Sequence, residues 1–444
     1  MHIRLYILVC LTLWVGANII ASVMEMQDGL RVAIYTLGCK LNQAESEQLA
    51  HQFADAGYRV VDGDVADICV LNTCTVTHIA DRKSRHLVRL LRKRNPAAQV
   101  IVTGCYAERA AEELASTGAD LVIGNEQKAY LLELVRERFA SVCMSGRHNG
   151  NGLGRIRSFV KIQDGCKDGC AYCVVPSVRR REYCVPVEGV IETVKERCAA
   201  GYKEVILTGT KIGSYHSSGA DLRELVRRVL GGTDIQRLHL SSLQPQEISP
   251  RLLKLWQDKR LCPHFHLALQ SGCDSVLERM RRRYTLQGYR EAVAAIREVV
   301  PEVAITTDVM VGFPGESDGE FVGGYRFCQE IGFANMHVFV YSPRPGTVAA
   351  KMQGQIDSRV KKERSLKMLE LARRSAQQFA GRFVGCEVAV LWENEVVPGS
   401  GVYSGLTDNY IRVFARSQKP VVNQIVPVRL VKMYKDGLWG EGIE

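Results

Sequence analysis

Short runs of β-branched and apolar residues alternate with stretches of helical periodicity over the first third of the chain. Four of these runs end at a polar residue or a glycine and predict strands: RVAIYT (31–36), DICVLN (67–72), QVIVTG (99–104) and DLVIG (120–124). Helical patterns lie between them, among them residues 45–56 and residues 78–94, the second of which ends before Asn95-Pro96. This alternation predicts a parallel α/β domain over residues 31–143.

A second strand and helix series follows residues 144–154, whose glycines and asparagines are typical of a linker. Six strands are predicted in it: SFVKIQ (158–163), EVILTG (204–209), RLHLSS (237–242), HFHLAL (264–269), VAITTDVMV (303–311) and NMHVFVY (335–341). Six strands with helical connections fit a partial (β/α)6 barrel better than the eight of a full barrel. We expect this barrel domain to span residues 155–377.

The pattern changes again towards the C-terminus. Residues 356–382 predict one long basic helix, capped at Asp357 or Ser358. Beyond it, the short strands EVAVLW, YIRVFA and PVRLVKM are separated by turns rich in glycine, asparagine and aspartate. This pattern predicts a small all-β barrel over residues 378–444, so the fold class is α/β with an appended β module.

An apolar extension, residues 1–30, precedes the first predicted strand. Residues 5–15 are almost wholly apolar and follow His2 and Arg4, as in a signal peptide or a weak membrane anchor. The alternative is a start at Met24 or Met26, which we favour because the chemistry argued below needs a reducing cytoplasm. We expect a chain begun there to be active, cytoplasmic and without stable membrane association.

Composition narrows the class of protein only slightly. The chain has 444 residues, of which 46% are hydrophobic and 24% charged, and this usage excludes disorder or a polytopic membrane fold for most of it. A net charge of +10 permits a polyanionic partner such as nucleic acid. Fifteen cysteines in so long a chain are too sparse for a disulfide scaffold, so we expect metal ligands, reactive thiols or small core residues.

Cys166, Cys170 and Cys173 form a C-x3-C-x2-C motif directly after the first strand of the second series. Three thiolates on one short loop can hold three irons of a [4Fe-4S] cluster and leave the fourth iron open to a substrate. A structural zinc site is the competing hypothesis, and Cys184 could supply the fourth ligand that zinc needs. Buried structural cysteines rarely show this spacing beside glycines.

A second set of cysteines, Cys39, Cys74 and Cys105, follows three successive strands of the first series. Their separations of 35 and 31 residues match no compact metal loop. Loops at the carboxyl edge of a parallel sheet nevertheless converge on one crevice. The three thiols are therefore candidates for a second [4Fe-4S] cluster, and small buried residues at strand ends are the alternative.

Taken together, these motifs resemble those of the radical S-adenosylmethionine methylthiotransferases. The matching segments are Tyr172 before the last cysteine of the loop, LTGT (207–210), LALQSG (267–272) and TTDVMVGFPGES (306–317). GCKLNQ, KIQDGC and VFVYSPRPGTVAAKM (338–352) resemble the subgroup that acts on threonylcarbamoyladenosine in tRNA. The similarity runs from residue 31 to roughly the C-terminus, and it implies that residues 378–444 form a TRAM-like RNA-binding domain.

This resemblance implies two [4Fe-4S] clusters, one on each cysteine set, and S-adenosyl-L-methionine as cofactors. The residues implied to contact S-adenosylmethionine are Tyr172, Thr208, Gly209, Gln270, Asp308 and Gly312. The implied activity converts N6-threonylcarbamoyladenosine beside the anticodon to its 2-methylthio derivative. The implied partners are tRNA, an electron donor of flavodoxin or ferredoxin type, and a sulfur donor. No side chain stands out as an acid or a base.

Three alternatives stay open. The first two are methylthiolation of isopentenyladenosine in tRNA and of a ribosomal protein side chain, and the third is a non-catalytic iron–sulfur RNA-binding protein. The loop VRRREYCVP also departs from the family, because Arg180 replaces a glycine while Arg179 holds the family arginine. The candidates for RNA contact are the basic helices at 78–94 and 356–382, together with Tyr403, Tyr410, Arg412 and Arg429.

Overall fold

The structure is a computed structural model, described here over residues 30–63, 65–139 and 156–442. The apolar extension up to residue 29 and the linker at 144–154 lie outside the described residues. Contacts divide the chain into two compact units, residues 1–75 with 79–154, and residues 76–78 with 155–444. None of the helices in the described ranges has both the length and the apolar character that a membrane crossing needs.

The first unit is a five-stranded parallel sheet in the order β2-β1-β3-β4-β5 with helices against it. Its elements are β1 (Arg31–Thr36), α1 (Lys40–Asp55), β2 (Arg59–Val60), β3 (Ile68–Thr73), α2 (His78–Arg94), β4 (Gln99–Gly104), α3 (Cys105–Arg109), α4 (Ala111–Ser116), β5 (Leu121–Val122) and α5 (Leu131–Arg138). The predicted parallel α/β architecture is confirmed. The sequence pattern missed β2, because a strand of two residues has no periodicity to detect.

Strand β3 lies at the centre of this sheet, and all six of its residues are buried. Ile68 and Val70 pack in an apolar cluster that contains Phe53 of α1. Cys69 and Leu71 pack in a second cluster on the opposite face. A strand covered on both faces has no polar side, which is why it is a continuous apolar run in the sequence.

The second unit begins with six parallel strands joined by helices, as predicted. Its elements are β6 (Arg157–Asp164), α6 (Val175–Val178), β7 (Tyr183–Cys184), α7 (Val187–Ala199), β8 (Glu204–Gly209), β9 (His216–Ser217), β10 (Ala220–Asp221), α8 (Leu222–Gly232), β11 (Arg237–Leu240), β12 (Ser242–Leu243), α9 (Pro250–Leu253), β13 (His264–Leu267), α10 (Asp274–Arg279), α11 (Leu286–Val299), β14 (Ala304–Val311), α12 (Asp318–Ile331), β15 (Asn335–Val340) and α13 (Ser358–Gly381). Strands β11 and β12 are one strand interrupted at Ser241, and they join the sheet β11-β8-β6-β7 to the sheet β12-β13-β14-β15. The result is the partial barrel that the sequence predicts.

Residues of the barrel strands alternate between an outer and a concave face. On β14, Ile305 and Val309 pack in the large apolar core with the surrounding helices, so Thr306 and Asp308 face the concave side. The same alternation places further polar and charged residues there: Glu204, Thr208, Arg237, His239, His264, His266 and His337. The inside of the barrel is therefore polar, as the binding of a polar ligand requires.

Five strands close the C-terminal barrel in the order β16-β17-β18-β20-β19, which confirms the predicted all-β module. Their bounds are β16 (Glu387–Glu395), β17 (Val402–Thr407), β18 (Arg412–Arg416), β19 (Ile425–Tyr434) and β20 (Gly437–Glu441). Trp392 is fully buried in its core, and Tyr403 packs there with it. The expectation that Tyr403 stacks on RNA is therefore wrong, because the inward face of β17 carries this ring.

Tyr410 corrects the same expectation in another way. It lies between β17 and β18 at a positive φ of 63°, and its ring stacks on His239 with the centroids 4.2 Å apart. Its hydroxyl donates to Oε1 of Glu204 over 3.3 Å, and the Arg157 guanidinium lies 5.5 Å from its ring centroid. These partners lie within the first three residues of β6, β8 and β11. Tyr410 therefore packs against the amino-terminal end of the partial barrel and is not available to stack on RNA.

Candidate functional site

Strand β6 ends at Asp164, and the loop that follows carries Cys166, Cys170 and Cys173, all partly buried. Gly165 adopts a φ of 75°, and a Cβ added there would lie 2.4 Å from the carbonyl oxygen of Arg181. Only glycine fits that position. The backbone of Cys173 donates to the carbonyl of Cys170 over 3.1 Å, so the last two cysteines lie in one tight turn.

A buried charge network holds the start of this loop. The Asp164 carboxylate accepts a hydrogen bond from the Gly165 backbone at 2.8 Å and another from Nη1 of Arg179 at 2.8 Å. Nζ of Lys161 lies 2.6 Å from the same carboxylate. Arg179 is 5% exposed, so it supports the start of the cysteine loop from the protein interior, through Asp164.

Asp168, between the first two cysteines, ties the loop to its neighbours. It accepts hydrogen bonds from Nζ of Lys211 at 2.8 Å and from Nε2 of Gln244 at 3.1 Å, and Arg283 lies 3.7 Å away. Burial opposes ionisation of Asp168, but these hydrogen bonds outweigh it and hold its pKa below the usual value. The ionised carboxylate thus joins the cysteine loop to the segments that follow β8 and β12.

The thiols of Cys166 and Cys173 ionise weakly while no metal is bound. Burial raises the pKa of Cys173 to about 12 and raises that of Cys166 as well. At neutral pH both are therefore protonated in the unloaded protein. A thiolate-binding metal would have to displace these protons, so loading should be favoured by higher pH.

Gln270 and Asp308 are brought together at the carboxyl ends of β13 and β14. The Gln270 backbone donates to the carbonyl of Asp308 over 2.8 Å, and Gln270 adopts a φ of 65°, which is uncommon for a residue with a side chain. The Asp308 carboxylate lies 3.3 Å from Nε2 of His266 and 3.3 Å from Nδ1 of His337. Burial opposes its ionisation, but the two histidines outweigh this effect and keep the pKa of Asp308 well below its usual range.

Within the described residues, His266, Asp308 and His337 are the one group of three potential metal ligands whose ligand atoms all lie within 4.8 Å of one another. The cysteine sulfurs of neither set form such a group. Zn–S bonds of about 2.3 Å would hold the sulfurs of a tetrahedral site within about 4 Å. Cys184, the suggested fourth zinc ligand, lies on β7, where its sulfur accepts a hydrogen bond from the His216 backbone at 3.4 Å. That hydrogen bond places Cys184 beside β9.

The other residues predicted to contact S-adenosylmethionine are Tyr172, Thr208, Gly209 and Gly312. Tyr172 packs edge to face on Phe313, with ring centroids 6.5 Å apart, in the small apolar cluster that also contains Met310. Thr208 is buried at the end of β8, and a Cβ at the next residue, Gly209, would lie 2.7 Å from the carbonyl oxygen of Gln163. Close backbone approach thus explains this glycine.

Gly312 closes β14 with a φ of 72°, and a Cβ there would lie 2.4 Å from Cγ of Lys361. Its backbone donates to Oε2 of Glu316 over 2.7 Å, and Glu316 also pairs with Arg364 of α13 at 2.7 Å. Arg364 is buried, so this cation of the basic helix stabilises the GFPGE turn and is withdrawn from RNA. No sequence pattern predicts this pairing.

In the first unit, the three cysteines occupy the ends of adjacent strands. A Cβ at Gly38, next to Cys39, would lie 2.8 Å from Cβ of Cys74. Gly104, next to Cys105, has a φ of 99°, and a Cβ there would lie 2.5 Å from the backbone of Thr73. Glycine therefore allows the neighbours of Cys39 and Cys105 to approach the end of β3, where Cys74 follows.

A buried polar scaffold supports this edge of the sheet. Asn42 donates through Nδ2 to the carbonyls of Leu37 at 2.8 Å and Thr73 at 2.9 Å. Lys128 pairs with Glu45 at 2.5 Å and donates to Oδ1 of Asn72 at 3.2 Å. The sequence pattern did not predict a role for these residues. The polar run NQAES at the start of a helix that packs on a sheet could have indicated it.

The basic helix α2 divides into paired and solvent-facing cations. Arg85 lies 2.9 Å from Glu113, and Arg92 pairs with Asp120. The exposed cations include Arg82, Lys83, Arg89 and Lys93. One face of α2 is thus positively charged and open to a polyanion.

Both cysteine sets have the ligands that an iron–sulfur cluster requires. Each set offers three thiols, on loops whose glycines permit the close backbone approach that a compact site requires. Thiolates are the protein ligands of [4Fe-4S] clusters, and three of them leave one iron without a protein ligand.

Comparison with known families agrees with this arrangement. Residues 31–124 match the uncharacterized protein family UPF0004, and residues 160–328 match the radical SAM superfamily. Among solved structures, the radical S-adenosylmethionine methyltransferase TsrM from Kitasatospora setae superposes with a TM-score of 0.54 at 15% identity. The match covers 72% of this chain and 77% of that one. At that identity the likeness concerns the fold alone.

Curated relatives extend over nearly the whole chain. Threonylcarbamoyladenosine tRNA methylthiotransferase MtaB of Bacillus subtilis is 33% identical, with 93% of this chain and 97% of that protein covered. The protein of the same name from Aquifex aeolicus is 38% identical, with 88% and 98% covered. The tRNA-2-methylthio-N(6)-dimethylallyladenosine synthase of Geobacter sulfurreducens is 33% identical, with 94% and 98% covered. The chain therefore belongs to the radical S-adenosylmethionine methylthiotransferases, which use S-adenosylmethionine and [4Fe-4S] clusters.

Proposed function

We propose that this chain converts N6-threonylcarbamoyladenosine in tRNA to its 2-methylthio derivative. The observation that carries the proposal is the presence of two separate three-thiol sites, one at the edge of the first sheet and one at the end of β6. The substrate follows from the relatives named for threonylcarbamoyladenosine, which are 33% and 38% identical to this chain. A non-catalytic iron–sulfur RNA-binding protein would not need the glycine-containing motifs of the barrel.

In this proposal, Cys166, Cys170 and Cys173 hold one cluster, and Cys39, Cys74 and Cys105 hold the other. When bound, the clusters and S-adenosylmethionine together supply the radical chemistry, the sulfur and the methyl group. The protein holds the first cysteine loop in place through the Asp164 and Asp168 networks.

Gln270 and Asp308 are assigned to orient S-adenosylmethionine on the concave face of the barrel. The ionised Asp308 carboxylate and the Gln270 amide oxygen can accept hydrogen bonds from hydroxyl groups, which the ribose of S-adenosylmethionine offers. Tyr172, Thr208, Gly209 and Gly312 are proposed to complete the site. Thr208 would do so as a hydroxyl on the same face, and the two glycines would keep space open at the strand ends.

The partners follow from the same proposal. The exposed cations of α2 and the basic residues of the C-terminal barrel would neutralise tRNA phosphates, which gives affinity that falls as salt rises. A flavodoxin- or ferredoxin-type carrier would supply electrons, and a separate donor would restore the sulfur. We therefore propose that the protein acts in the cytoplasm. The division into residues 31–143, 155–377 and 378–444 stays a prediction.

One relative favours a second candidate substrate. The Geobacter sulfurreducens protein is named for dimethylallyladenosine, another N6-substituted adenosine in tRNA. The two substrates differ in the N6 substituent, which carries a carboxylate only in threonylcarbamoyladenosine. A direct comparison of the two tRNA substrates therefore decides which of them the protein modifies.

The test is a competition in the reconstituted system. Anaerobically reconstituted protein receives S-adenosylmethionine, dithionite and equal amounts of two tRNAs, one carrying threonylcarbamoyladenosine and one carrying dimethylallyladenosine. Mass spectrometry of the digested nucleosides should find the 2-methylthio form of threonylcarbamoyladenosine. Product on dimethylallyladenosine alone would replace the proposed substrate with the second candidate. Thiolation of neither, with both clusters present, would overturn both.

A further inference from the structure

Arg282 lies directly against a thiol of the cysteine loop, although no motif in the sequence singled it out. Its Nη1 is 3.3 Å from Sγ of Cys170, 112 residues away in the chain. A guanidinium has only donors, so this contact is a hydrogen bond from Arg282 to the sulfur. The side chain is partly buried.

The guanidinium is held in this place from several sides. Two residues before it, the carbonyl of Met280 accepts a hydrogen bond from the Ala171 backbone at 3.0 Å, which fastens the segment to the cysteine loop. Nε of Arg282 donates to the hydroxyl of Tyr284 at 3.0 Å, and its Cζ lies 4.8 Å from the centroid of that ring. The Tyr284 hydroxyl in turn donates to the carbonyl of Leu269 at 2.7 Å. Arg282 is therefore preorganised towards Cys170.

Arg282 differs from its neighbours in its charge partners. Arg279 pairs with Glu320 at 2.8 Å, and Arg283 lies 3.7 Å from Asp168. Among the described residues, no carboxylate lies within 4.0 Å of the Arg282 guanidinium. A partly buried cation is costly unless negative charge lies close to it. The thiolates of a loaded cysteine loop would supply that charge.

We infer that Arg282 is a positioning residue that stabilises the reduced form of the cluster proposed for Cys166, Cys170 and Cys173. The inference rests on the proposed function only for that cluster assignment. Reduction takes one electron from an external low-potential carrier, which is oxidised, and adds one negative charge to the cluster without changing a protein bond. Net charge and hydrogen bonds to the sulfurs set cluster potentials. The charge and the hydrogen bond of Arg282 both favour the reduced state and raise the potential.

Two variants and one matched control test this role. Arg282→Met removes the charge and the donor at similar length, and Arg282→Lys keeps the charge. Arg281→Met removes the same charge from the adjacent, exposed position. All proteins carry Cys105→Ala as well, so that only the cluster of Cys166, Cys170 and Cys173 is expected to form. Each reconstituted protein is assayed for iron and sulfide, and this cluster is then titrated electrochemically without tRNA, with the reduced state followed by electron paramagnetic resonance.

Arg281→Met should match the wild-type potential. Arg282→Met should lose at least tenfold in the equilibrium constant for reduction, a fall of about 59 mV for a one-electron couple, and Arg282→Lys should lie between the two. Equal potentials in Arg282→Met and Arg281→Met would overturn the inference. If Arg282→Met folds but loads no cluster, a loaded Arg282→Lys with a potential below that of Arg281→Met supports the inference, and equal potentials in these two variants overturn it. Failure of both to load, with normal thermal unfolding of the apoproteins, would assign Arg282 to assembly and overturn it.

These readings do not depend on the tRNA substrate. If Arg282→Met shifts the potential while wild-type protein modifies neither tRNA, the proposed function fails and the inference stands. If the wild type forms the expected nucleoside and the potentials are equal, the inference fails alone.

Discussion

Tyr410 of the C-terminal barrel stacks on His239 of the partial barrel, with the ring planes 13° apart. The contact joins residues 171 positions apart in the chain, and the same tyrosine donates to the buried Glu204. The Glu204 carboxylate is fully buried, and it has Arg157 at 3.2 Å, Arg237 at 3.8 Å and His239 at 3.5 Å around it. Tyr410 thus covers an ionic network that would otherwise meet water at the end of the barrel.

Removing this ring should cost much of the stability of the second unit. Tyr410→Ala is expected to lower the free energy of unfolding by about 3–5 kcal/mol, the range for deletion of a large buried ring. Tyr410→Phe keeps the stacking and loses only the hydrogen bond, at about 1 kcal/mol. Denaturant unfolding followed by circular dichroism measures both. Tyr130→Ala, at an exposed tyrosine, is the control, and a loss in Tyr410→Ala no larger than in this control would contradict the role.

Glu320 should make stability depend on pH. The hydrogen bond from Arg279 is the main cause that lowers the pKa of Glu320 to about 2, from 4.5 for the free side chain. A carboxylate with a lowered pKa in the folded state contributes stability above pH 4.5 and loses it as the pH falls towards 2. Glu320→Gln should therefore be less stable than wild type by about 0.5–2 kcal/mol at pH 7, and the difference should shrink below pH 4.5.

Ser317→Ala provides the matched control for Glu320. Ser317 accepts the hydrogen bond of the Glu320 backbone at 3.2 Å, so this variant removes the cap of α12 and leaves the carboxylate with Arg279. Its cost in the free energy of unfolding should stay constant between pH 7 and pH 2.5. A constant cost in Glu320→Gln over the same range would contradict the account.

Asp168 should govern how firmly the cysteine loop retains iron. Partners that orient metal ligands typically change metal affinity by about 10–100-fold when they are removed, so Asp168→Ala should lose iron to a chelator at least about tenfold more readily. Glu182→Ala is the control, since Glu182 meets Lys167 at 3.8 Å near the same loop without reaching the segments after β8 and β12. Equal iron loss in the two variants would remove Asp168 from the support of the loop.

Substitutions in the two cysteine sets should have different effects on the reaction. Reconstituted wild type should hold about eight irons, and Cys105→Ala and Cys170→Ala should each lose about four. Cys105→Ala should still cleave S-adenosylmethionine to 5′-deoxyadenosine but form no thiolated nucleoside, whereas Cys170→Ala should do neither. Cys386→Ala, at an exposed cysteine, should leave both readouts unchanged. Normal product from Cys105→Ala would contradict a sulfur-delivering role for the first unit.

Local pattern predicted the main strands of the sheets and missed short ones such as β2. Strands β4 and β8 begin and end where the sequence pattern predicts, because β-branched and apolar residues fill the middle of each run. Helix α1 begins at Lys40, five residues before the predicted start, because buried polar residues such as Asn42 hide its apolar face from the pattern. The hydrophobic pattern of the sequence predicts an element correctly when its buried positions are apolar and its exposed positions are polar.

Two contacts of the second unit join residues that are distant in sequence. Arg282 reaches Cys170 across 112 residues, and Tyr410 reaches Glu204 across 206. Nothing near either residue in the chain distinguishes it from an ordinary surface arginine or a loop tyrosine. Such partners become visible only once the strands are in register.

The central claim is that the chain adds a methylthio group to threonylcarbamoyladenosine in tRNA. The most direct measurement is mass spectrometry of nucleosides in tRNA from cells that lack this protein and from the same cells given back the wild type or Cys105→Ala. The account predicts that 2-methylthio-threonylcarbamoyladenosine is absent without the protein, returns with the wild type and stays absent with Cys105→Ala, while the unmodified form accumulates. Unchanged 2-methylthio-threonylcarbamoyladenosine in the cells that lack the protein would contradict it.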